Sequence, residues 1–257
     1  MTLPWIIVGH GRVGQALTLL AHNLDIPVKA TWTRRDGPLP DAIATALDTP
    51  CVLFLTVVDD AIAETFDALR DCLPPTSVVV HTSGSLDSSI LAGRDDLHVA
   101  SLHPLLAIVD PEEALRRFPD TFWTVEGDTV ARDHLTEVLA TAGIHPRPID
   151  ASQKILYHAA AVTAANLLVS LFDAALEMAH IAGLDPADAR NALATLAASS
   201  VDNLKNSPPR SALTGPVARG DLQTIGRHRD ALAAITDDPE LLAIYELLTD
   251  RALRRLT

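Results

Sequence analysis

Two short segments of the chain each combine a histidine, a hydroxyl side chain and a turn-forming residue. They are His81-Thr82-Ser83-Gly84 and Ser101-Leu102-His103-Pro104, and each directly follows a run that is predicted to be a strand. The carboxyl ends of parallel strands meet at one edge of a sheet, where ligands bind. We therefore expect Ser83 and His103 to be substrate-binding residues. A structural role for either histidine is an equally good interpretation.

A polar stripe lies on an otherwise apolar helical segment further along the chain. Lys154 and His158 are four residues apart and share a helix face, and Asn166 follows two turns later. Polar groups on an apolar helix are costly unless they face solvent or a polar cleft. Lys154 or His158 could protonate a reacting atom, and Asn166 could hold the substrate or orient the acid. The alternative for Lys154 is a solvated surface position.

A third unusual segment, Leu213–Asp221, contains two glycines and a proline. Its Thr214 and Arg219 could bind a carboxylate or phosphate group of a substrate. The sequence contains no metal-ligand pair of the CxxC or HExxH type, so we predict no metal.

A glycine-rich hexapeptide follows the first apolar run and precedes an amphipathic helix. Gly9 would permit a tight turn, Gly11 a close approach of the backbone to a pyrophosphate, and Gly14 close packing of helix and strand. The N-terminus of the helix would attract the phosphates. We predict a dinucleotide site, although a glycine turn that has lost its ligand is the alternative. The predicted cofactor-binding residues here are Gly9, His10, Gly11, Arg12, Val13 and Gly14.

The end of the second predicted strand indicates which dinucleotide is bound. NAD-binding proteins usually carry an acidic residue there, but this sequence has Arg34 and Arg35. A guanidinium group would hold a 2′-phosphate, so NADP is favoured over NAD. The alternative is that both arginines are solvated loop residues. Thr56, at the end of the third strand, is a further predicted cofactor contact. Asp59 and Asp60 are predicted mainly to cap the following helix.

The elements that must position these residues divide the chain into two parts. Residues 1–150 alternate strands with helices, which predicts a parallel sheet with crossover helices and a Rossmann NADP-binding domain. Residues 151–257 show only helical patterns, beginning with one helix over Ala151–Ala182. The predicted fold class is therefore α/β, with an all-α C-terminal domain for substrate binding and dimerisation.

The composition restricts the possible partners. The net charge of −13 argues against nucleic-acid binding. The N-terminus lacks a basic leader, and polar residues interrupt the apolar stretch Ala159–Leu176, so we expect a cytoplasmic protein that does not cross a membrane. The same stretch has more apolar surface than one cleft needs, which favours a homodimer.

The sequence resembles proteins with a C-terminal domain called DUF2520, within the 6-phosphogluconate dehydrogenase-like superfamily. The matching segments are GHGRVG, HTSG, SLHPL, KILYHAAAVTAANLL and LTGPVARGD, which together span almost the whole chain. This resemblance implies an NADP-linked reductase fold with a helical dimerisation domain, related to ketopantoate and pyrroline-5-carboxylate reductases. In related β-hydroxyacid dehydrogenases a helix lysine and a nearby asparagine act in catalysis; Lys154 is in the similar place, but His158 replaces that asparagine.

These observations predict an NADPH-dependent oxidoreductase that reduces a C=O or C=N group of a small anionic metabolite. A ketopantoate-reductase-like activity is the preferred interpretation. A non-catalytic NADP-binding sensor or partner-binding protein is the main alternative, and a flavin- or deazaflavin-linked oxidoreductase is the third.

Overall fold

The computed structural model describes residues 2–39, 41–235 and 237–255. Apolar runs rich in β-branched residues form seven strands, all in the first part of the chain, as the sequence predicts. The strands are β1 (Trp5–Val8), β2 (Val28–Trp32), β3 (Val52–Leu55), β4 (Val78–His81), β5 (His98–Pro104), β6 (Trp123–Gly127) and β7 (Arg147–Pro148).

The strands form one sheet in the order β2-β1-β3-β4-β5-β6-β7. All neighbouring pairs are parallel except β5 and β6, so the predicted parallel sheet is confirmed with one antiparallel pair. The chain reverses there through a segment that contains one short helix and a 3₁₀ turn. The strand order changes direction between β1 and β3, which makes their carboxyl ends the switch point where such sheets bind ligands.

The helices and short 3₁₀ turns supply both layers around the sheet and the C-terminal part. The helices are α1 (Arg12–Asn23), α2 (Ile62–Arg70), α3 (Pro111–Arg117), α4 (Thr129–Ala140), α5 (Lys154–Ala164), α6 (Asn166–Ile181), α7 (Pro186–Asn206), α8 (Pro209–Ala212), α9 (Gly215–Ala218), α10 (Leu222–Ala233) and α11 (Pro239–Arg255).

Two apolar clusters cover the two faces of the sheet. Alternate residues of the fully buried β1 enter different clusters: Trp5 and Ile7 pack with α1, α3 and α4, whereas Ile6 and Val8 pack with α2. A strand that is buried on both faces needs a continuous apolar run, which is what the sequence of β1 provides. The sheet is thus a rigid support for the loops at its carboxyl edge.

The chain forms two compact units, Met1–Thr163 and Ala164–Thr257. The expected single helix over Ala151–Ala182 is wrong, because Ala165, with φ −117° and ψ −68°, separates α5 from α6. Helix α5 belongs to the first unit, whereas the sequence placed the domain boundary near Asp150. Within the second unit, Ala174, Leu232 and Leu241 form the centre of a small apolar cluster of α6, α10 and α11.

Candidate active site

The glycine loop between β1 and α1 has the geometry that its three glycines predict. Gly9 has a φ of +97°, and a Cβ there would lie 2.7 Å from the Thr56 carbonyl. A Cβ on Gly14 would lie 2.1 Å from the Gly9 carbonyl oxygen. At Gly11, by contrast, a Cβ would meet nothing within 4 Å. Two glycines are therefore needed by the fold itself, and the third leaves the loop open on its outer side.

Thr56 holds this loop from the neighbouring strand end. Its hydroxyl donates to the Gly9 carbonyl and also approaches the Val8 carbonyl at 3.3 Å. The sequence suggested that Thr56 contacts the cofactor. The structure places it in the lining of the adjacent cavity, but with its hydroxyl bonded to the loop backbone.

A cavity of about 670 Å³ opens beside the glycine loop, within the first unit. Gly9, His10 and Gly11 line one side, and residues after β3 and on α2 line the other. Helix α1 begins after Gly11 with no capping side chain and no acidic residue in its first turn, so its N–H groups and dipole are available to an anion. Arg12 is exposed and Val13 packs on the core. These features fit the pyrophosphate of a dinucleotide.

The turn after β2 brings one of the two predicted arginines to this cavity. Both arginines are exposed, but Arg34 is in the lining of the cavity and Arg35 is not. The turn is braced by the Asp36 carboxylate, which accepts from the Thr33 amide at 2.6 Å and hydroxyl at 2.8 Å. These hydrogen bonds lower the pKa of Asp36 and keep its charge within the turn. The guanidinium of Arg34 is consequently available for a phosphate in the cavity.

A second polar cluster lies where β4 and β5 end. Lys154, from the start of α5, is only 1% exposed. Its Nζ donates to the Ser101 hydroxyl at 2.6 Å and to the Ser83 carbonyl at 3.2 Å. Burial lowers the pKa of Lys154, and the carboxylates of Glu126, Asp87 and Asp59 oppose this shift. Lys154 is thus not the solvated surface residue that the sequence left open; it links the loop after β4 to Ser101 within β5.

His81 is fixed as a neutral ring within this cluster. Its Nδ1 accepts from the Ser83 amide at 3.2 Å, so its proton lies on Nε2, which faces the Asp87 carbonyl at 3.1 Å. Burial lowers the pKa of His81 to about 4. His81 therefore has a structural role in shaping the loop that carries Ser83.

Asp59 does not cap the helix after β3, and the prediction that it would is wrong. The capping positions are Val58 for the 3₁₀ turn and Ala61 for α2. The Asp59 carboxylate instead accepts from the hydroxyls of Ser83, at 2.7 Å, and Ser85, at 2.9 Å. This carboxylate links the end of β3 to the loop after β4. Ser83 thus contacts both Asp59 and Lys154, the two charged groups of the cluster.

Three aromatic side chains lie together beside this loop. The His103 Nδ1 atom is 3.0 Å from the Tyr157 hydroxyl, and its ring meets the His158 ring edge-on, with centroids 5.8 Å apart. A Cβ on Gly84 would lie 2.8 Å from the His103 Nε2 atom and 2.5 Å from the His158 Nδ1 atom. Burial, followed by the charge of Lys154, lowers the pKa of His103 to about 4. Glycine at position 84 is therefore what lets both rings approach the loop.

Residue spacing could not identify several members of this cluster. Tyr157, Ser101 and Asp59 come from α5, β5 and the end of β3, which only the sheet order brings together. The one available signal was their position next to predicted site residues or at predicted strand ends.

The remaining predicted site residues lie in the second unit. Asn166 is the first residue of α6 and is exposed. Thr214 and Arg219 flank the short helix α9, and both are exposed. Among the described residues, no group of three or more His, Cys, Asp or Glu side chains could hold a metal ion.

The fold and site define a Rossmann-type protein with a cavity beside its glycine loop and a helical second unit. Residues 121–252 match the model of the family named Domain of unknown function (DUF2520), which covers more than half of the chain. The chain belongs to this family. No curated protein matches the sequence significantly.

Solved structures support the same fold. The chain is similar to protein TM1727 from Thermotoga maritima, with 26% identity, a TM-score of 0.74, and coverage of 98% of this chain and 97% of that chain. It is also similar to BF3122, an NADP oxidoreductase candidate from Bacteroides fragilis, with 20% identity, a TM-score of 0.78 and 98% of each chain covered. A pyrroline carboxylate reductase from Plasmodium falciparum, solved with NADP bound, is 12% identical, with a TM-score of 0.61, 99% of this chain and 98% of that chain covered.

Proposed function

We propose that this protein is an NADPH-dependent oxidoreductase that reduces a C=O or C=N group of a small anionic metabolite. The observation that carries this proposal is the position of two sites along one edge of one sheet. The cavity beside the glycine loop and Arg34 follows β1, β2 and β3, and the polar cluster around Ser83, His103 and Lys154 follows β4 and β5. A cofactor groove next to potential proton donors is what hydride transfer requires, and a non-catalytic sensor would need only the first.

In this proposal, each group of residues along the carboxyl edge of the sheet has a separate role. Bound NADPH would supply the hydride. The loop Gly9–Gly14 would hold its pyrophosphate, and Arg34 its 2′-phosphate. Ser83 and His103 would contact the substrate, and Lys154 or His158 would deliver the proton.

The proposed substrate is a small C=O or C=N compound in general, and a 2-oxo acid in particular. The structures of similar fold include the pyrroline carboxylate reductase and a reductive aminase from Aspergillus terreus, the latter at 17% identity, with a TM-score of 0.65 and coverage of 99% of this chain and 94% of that chain. A ketopantoate-reductase-like activity on a 2-oxo acid is our first choice. Thr214 and Arg219, in the second unit, would offer a hydroxyl and a guanidinium group to a carboxylate.

The first experiment is a fluorescence titration of the protein with NADPH and with NADH. We expect NADPH to bind at least tenfold more tightly, and Arg34→Ala to remove most of this preference because the 2′-phosphate loses its partner. Arg35→Ala is the matched control, since Arg35 lies outside the cavity lining. Equal binding of both nucleotides, or a larger effect of Arg35→Ala, would contradict the NADPH assignment.

The second experiment follows NADPH oxidation with ketopantoate, other 2-oxo acids and cyclic imines. Turnover with any of them supports the reductase. Tight NADPH binding without turnover across the panel would favour the sensor. If neither nucleotide binds, a deazaflavin-linked oxidoreductase becomes the preferred hypothesis.

We also propose that the protein is a cytoplasmic homodimer. The segment Ala151–Ile181 is long and apolar enough to cross a membrane by length and composition, and only 6% of its most apolar window is buried. In the structure this segment contains α5 and α6, which Ala165 separates. Exposed apolar side chains on α6, such as Leu167 and Val169, would be covered by a second copy of the chain.

A further inference from the structure

We infer that Asp59 is a positioning residue, whose carboxylate holds the loop after β4 against which both candidate proton donors are placed. This inference rests on the proposed reductase function, but it does not depend on whether Lys154 or His158 delivers the proton. It is carried by a continuous series of hydrogen bonds that leads from Asp59 through Ser83 to Lys154.

One oxygen of the Asp59 carboxylate accepts from two hydroxyl groups of this loop. The Oδ2 atom is 2.7 Å from the Ser83 hydroxyl and 2.9 Å from the Ser85 hydroxyl. The Ser83 hydroxyl oxygen also accepts from the amides of Ser85, at 3.2 Å, and Leu86, at 3.1 Å. A hydroxyl that accepts from two amides and donates to a carboxylate has a fixed direction. Asp59 therefore ties the folded loop to the turn that follows β3.

The carbonyl group of Ser83 binds the ammonium group of Lys154. Its oxygen accepts from Lys154 at 3.2 Å and from the Ser101 hydroxyl, also at 3.2 Å. The Ser101 hydroxyl in turn accepts from Lys154 at 2.6 Å. Because Lys154 is buried, these two oxygens take the place of water around its charge. A displaced Ser83 would deprive the ammonium group of one of them.

The next residue of the loop, Gly84, lies against the two histidines of the site. A Cβ there would be 2.5 Å from the His158 Nδ1 atom and 2.8 Å from the His103 Nε2 atom. Gly84 stands between the two serines that Asp59 binds, so the same carboxylate holds the backbone that these rings approach. Lys154 and His158 thus share one support.

The turn that carries Asp59 also forms part of the cavity that we assign to the cofactor. The cavity lining includes Thr56, Val57, Val58 and Ala61 but not Asp59. The residues on both sides of Asp59 thus line the cofactor cavity, while its carboxylate binds the loop. This arrangement fixes the proton donor relative to the cofactor, as reduction by hydride and proton transfer requires.

The charges near Lys154 provide a second signature of this role. Burial lowers the pKa of Lys154, and three carboxylates, one of them that of Asp59, oppose this shift. The charged and titratable groups that act on or respond to the Lys154 charge are Glu126, Asp87, Asp59, His81 and His103. Removal of the Asp59 charge should therefore lower the pKa of Lys154 further.

The first test observes Lys154 directly in the full-length protein and needs no substrate. The lysines of the sequence are Lys29, Lys154 and Lys205, so ¹⁵Nζ-labelled lysine gives few NMR signals, and Lys154→Met identifies the one from Lys154. A buried ammonium group held by hydrogen bonds exchanges its protons slowly. At pH 6 we expect this signal in the wild-type protein and its loss to exchange in Asp59→Ala. Asp59→Asn should keep the signal, because its amide oxygen still accepts from the serines, but with a lower pKa.

Asp60→Ala is the matched control for this test. Asp60 is the neighbouring exposed carboxylate and lies outside the cavity lining, so its loss should leave the Lys154 signal unchanged. A wild-type signal in folded Asp59→Ala, or an equal loss in Asp60→Ala, would overturn the inference. Thermal melts show whether each variant folds. If Asp59→Ala does not fold, an unchanged pKa of Lys154 in Asp59→Asn would overturn the inference instead.

The second test follows NADPH oxidation with ketopantoate as the carbonyl probe. We expect Asp59→Ala to lower kcat roughly 10- to 100-fold with the Kd for NADPH within about twofold, and Asp59→Asn to recover most of the rate. A folded Asp59→Ala enzyme with the wild-type kcat would contradict the positioning role. If NADPH binds but the wild-type protein reduces neither ketopantoate nor any other 2-oxo acid or cyclic imine, the proposed function fails. The Lys154 signal then still decides whether Asp59 holds Lys154 in place.

Discussion

At the scale of single residues, this site depends on histidines that stay uncharged. His81 and His103 both have a pKa of about 4 because they are buried, whereas an unfolded chain would protonate them near pH 6.5. The folded state therefore binds fewer protons than the unfolded state between these two values. Stability is fully present above about pH 6.5 and is lost as the pH falls towards 4.

This linkage predicts an acid-sensitive fold. Between pH 7 and pH 5 each of the two histidines should remove about 2 kcal/mol from the free energy of unfolding. Urea unfolding at both pH values measures this loss, and His81→Gln should reduce it by about 2 kcal/mol. His145→Gln, at an exposed position, is the control and should keep the wild-type dependence. An identical pH dependence in His81→Gln and the wild-type protein would contradict the assignment.

The sequence predicted candidate site residues near strand ends and on α5, but not the contacts among them. Ser83, His103, Lys154 and His158 were all predicted, and the structure brings them to one edge. The roles of Asp59 and Gly84 could not be predicted, because they depend on which neighbouring strand each loop faces. A hydroxyl 24 residues away outcompeted the local capping interaction of Asp59.

At the scale of elements, strands and helices were predicted well where the chain has a strong local pattern. The bounds of β1 and α1 agree with the pattern of apolar residues and glycines. The antiparallel β6 and the break at Ala165 were not predicted. Strand direction depends on the path of the chain, and Ala165 is a good helix former whose residue type carries no signal for a break.

At this scale, alanine substitutions at two glycines of the loop, Gly11 and Gly14, are predicted to have different effects. Gly11→Ala should leave the thermal stability nearly unchanged, because its Cβ meets nothing within 4 Å, but weaken NADPH binding on the order of tenfold or more. Gly14→Ala should lower both stability and binding, because its Cβ would lie 2.1 Å from the Gly9 carbonyl oxygen. Thermal melts and NADPH titrations of the two variants measure this difference. Two variants with the same melting temperature would contradict the distinction between an open and a packed glycine.

At the scale of the whole molecule, a large apolar surface lacks a partner within the described residues. Leu167 is 54% exposed and Val169 is 69% exposed, although both lie on a helix of markedly apolar sequence. Scattered exposed apolar residues are normal, but a concentration along one helix is what the proposed homodimer would require.

A dimer through α6 predicts a specific loss of assembly. The double variant Leu167→Asp with Val169→Asp should convert a dimer to a monomer in analytical ultracentrifugation, because burying two carboxylates in an apolar contact is costly. Val109→Asp is the control: Val109 is 73% exposed but lies in the first unit. A wild-type monomer at micromolar concentration would contradict the homodimer, and co-sedimentation with phosphatidylcholine vesicles would favour a membrane surface as the partner.

The hydroxyl of Thr56, bonded to the Gly9 carbonyl, also has a kinetic consequence. The loop already has the backbone shape that a pyrophosphate needs, so little conformational entropy remains to be lost when the nucleotide arrives. Stopped-flow traces should then show a single phase whose rate rises linearly with nucleotide concentration, without a plateau from a slow rearrangement. Thr56→Val would free the loop, and a second, concentration-independent phase should emerge.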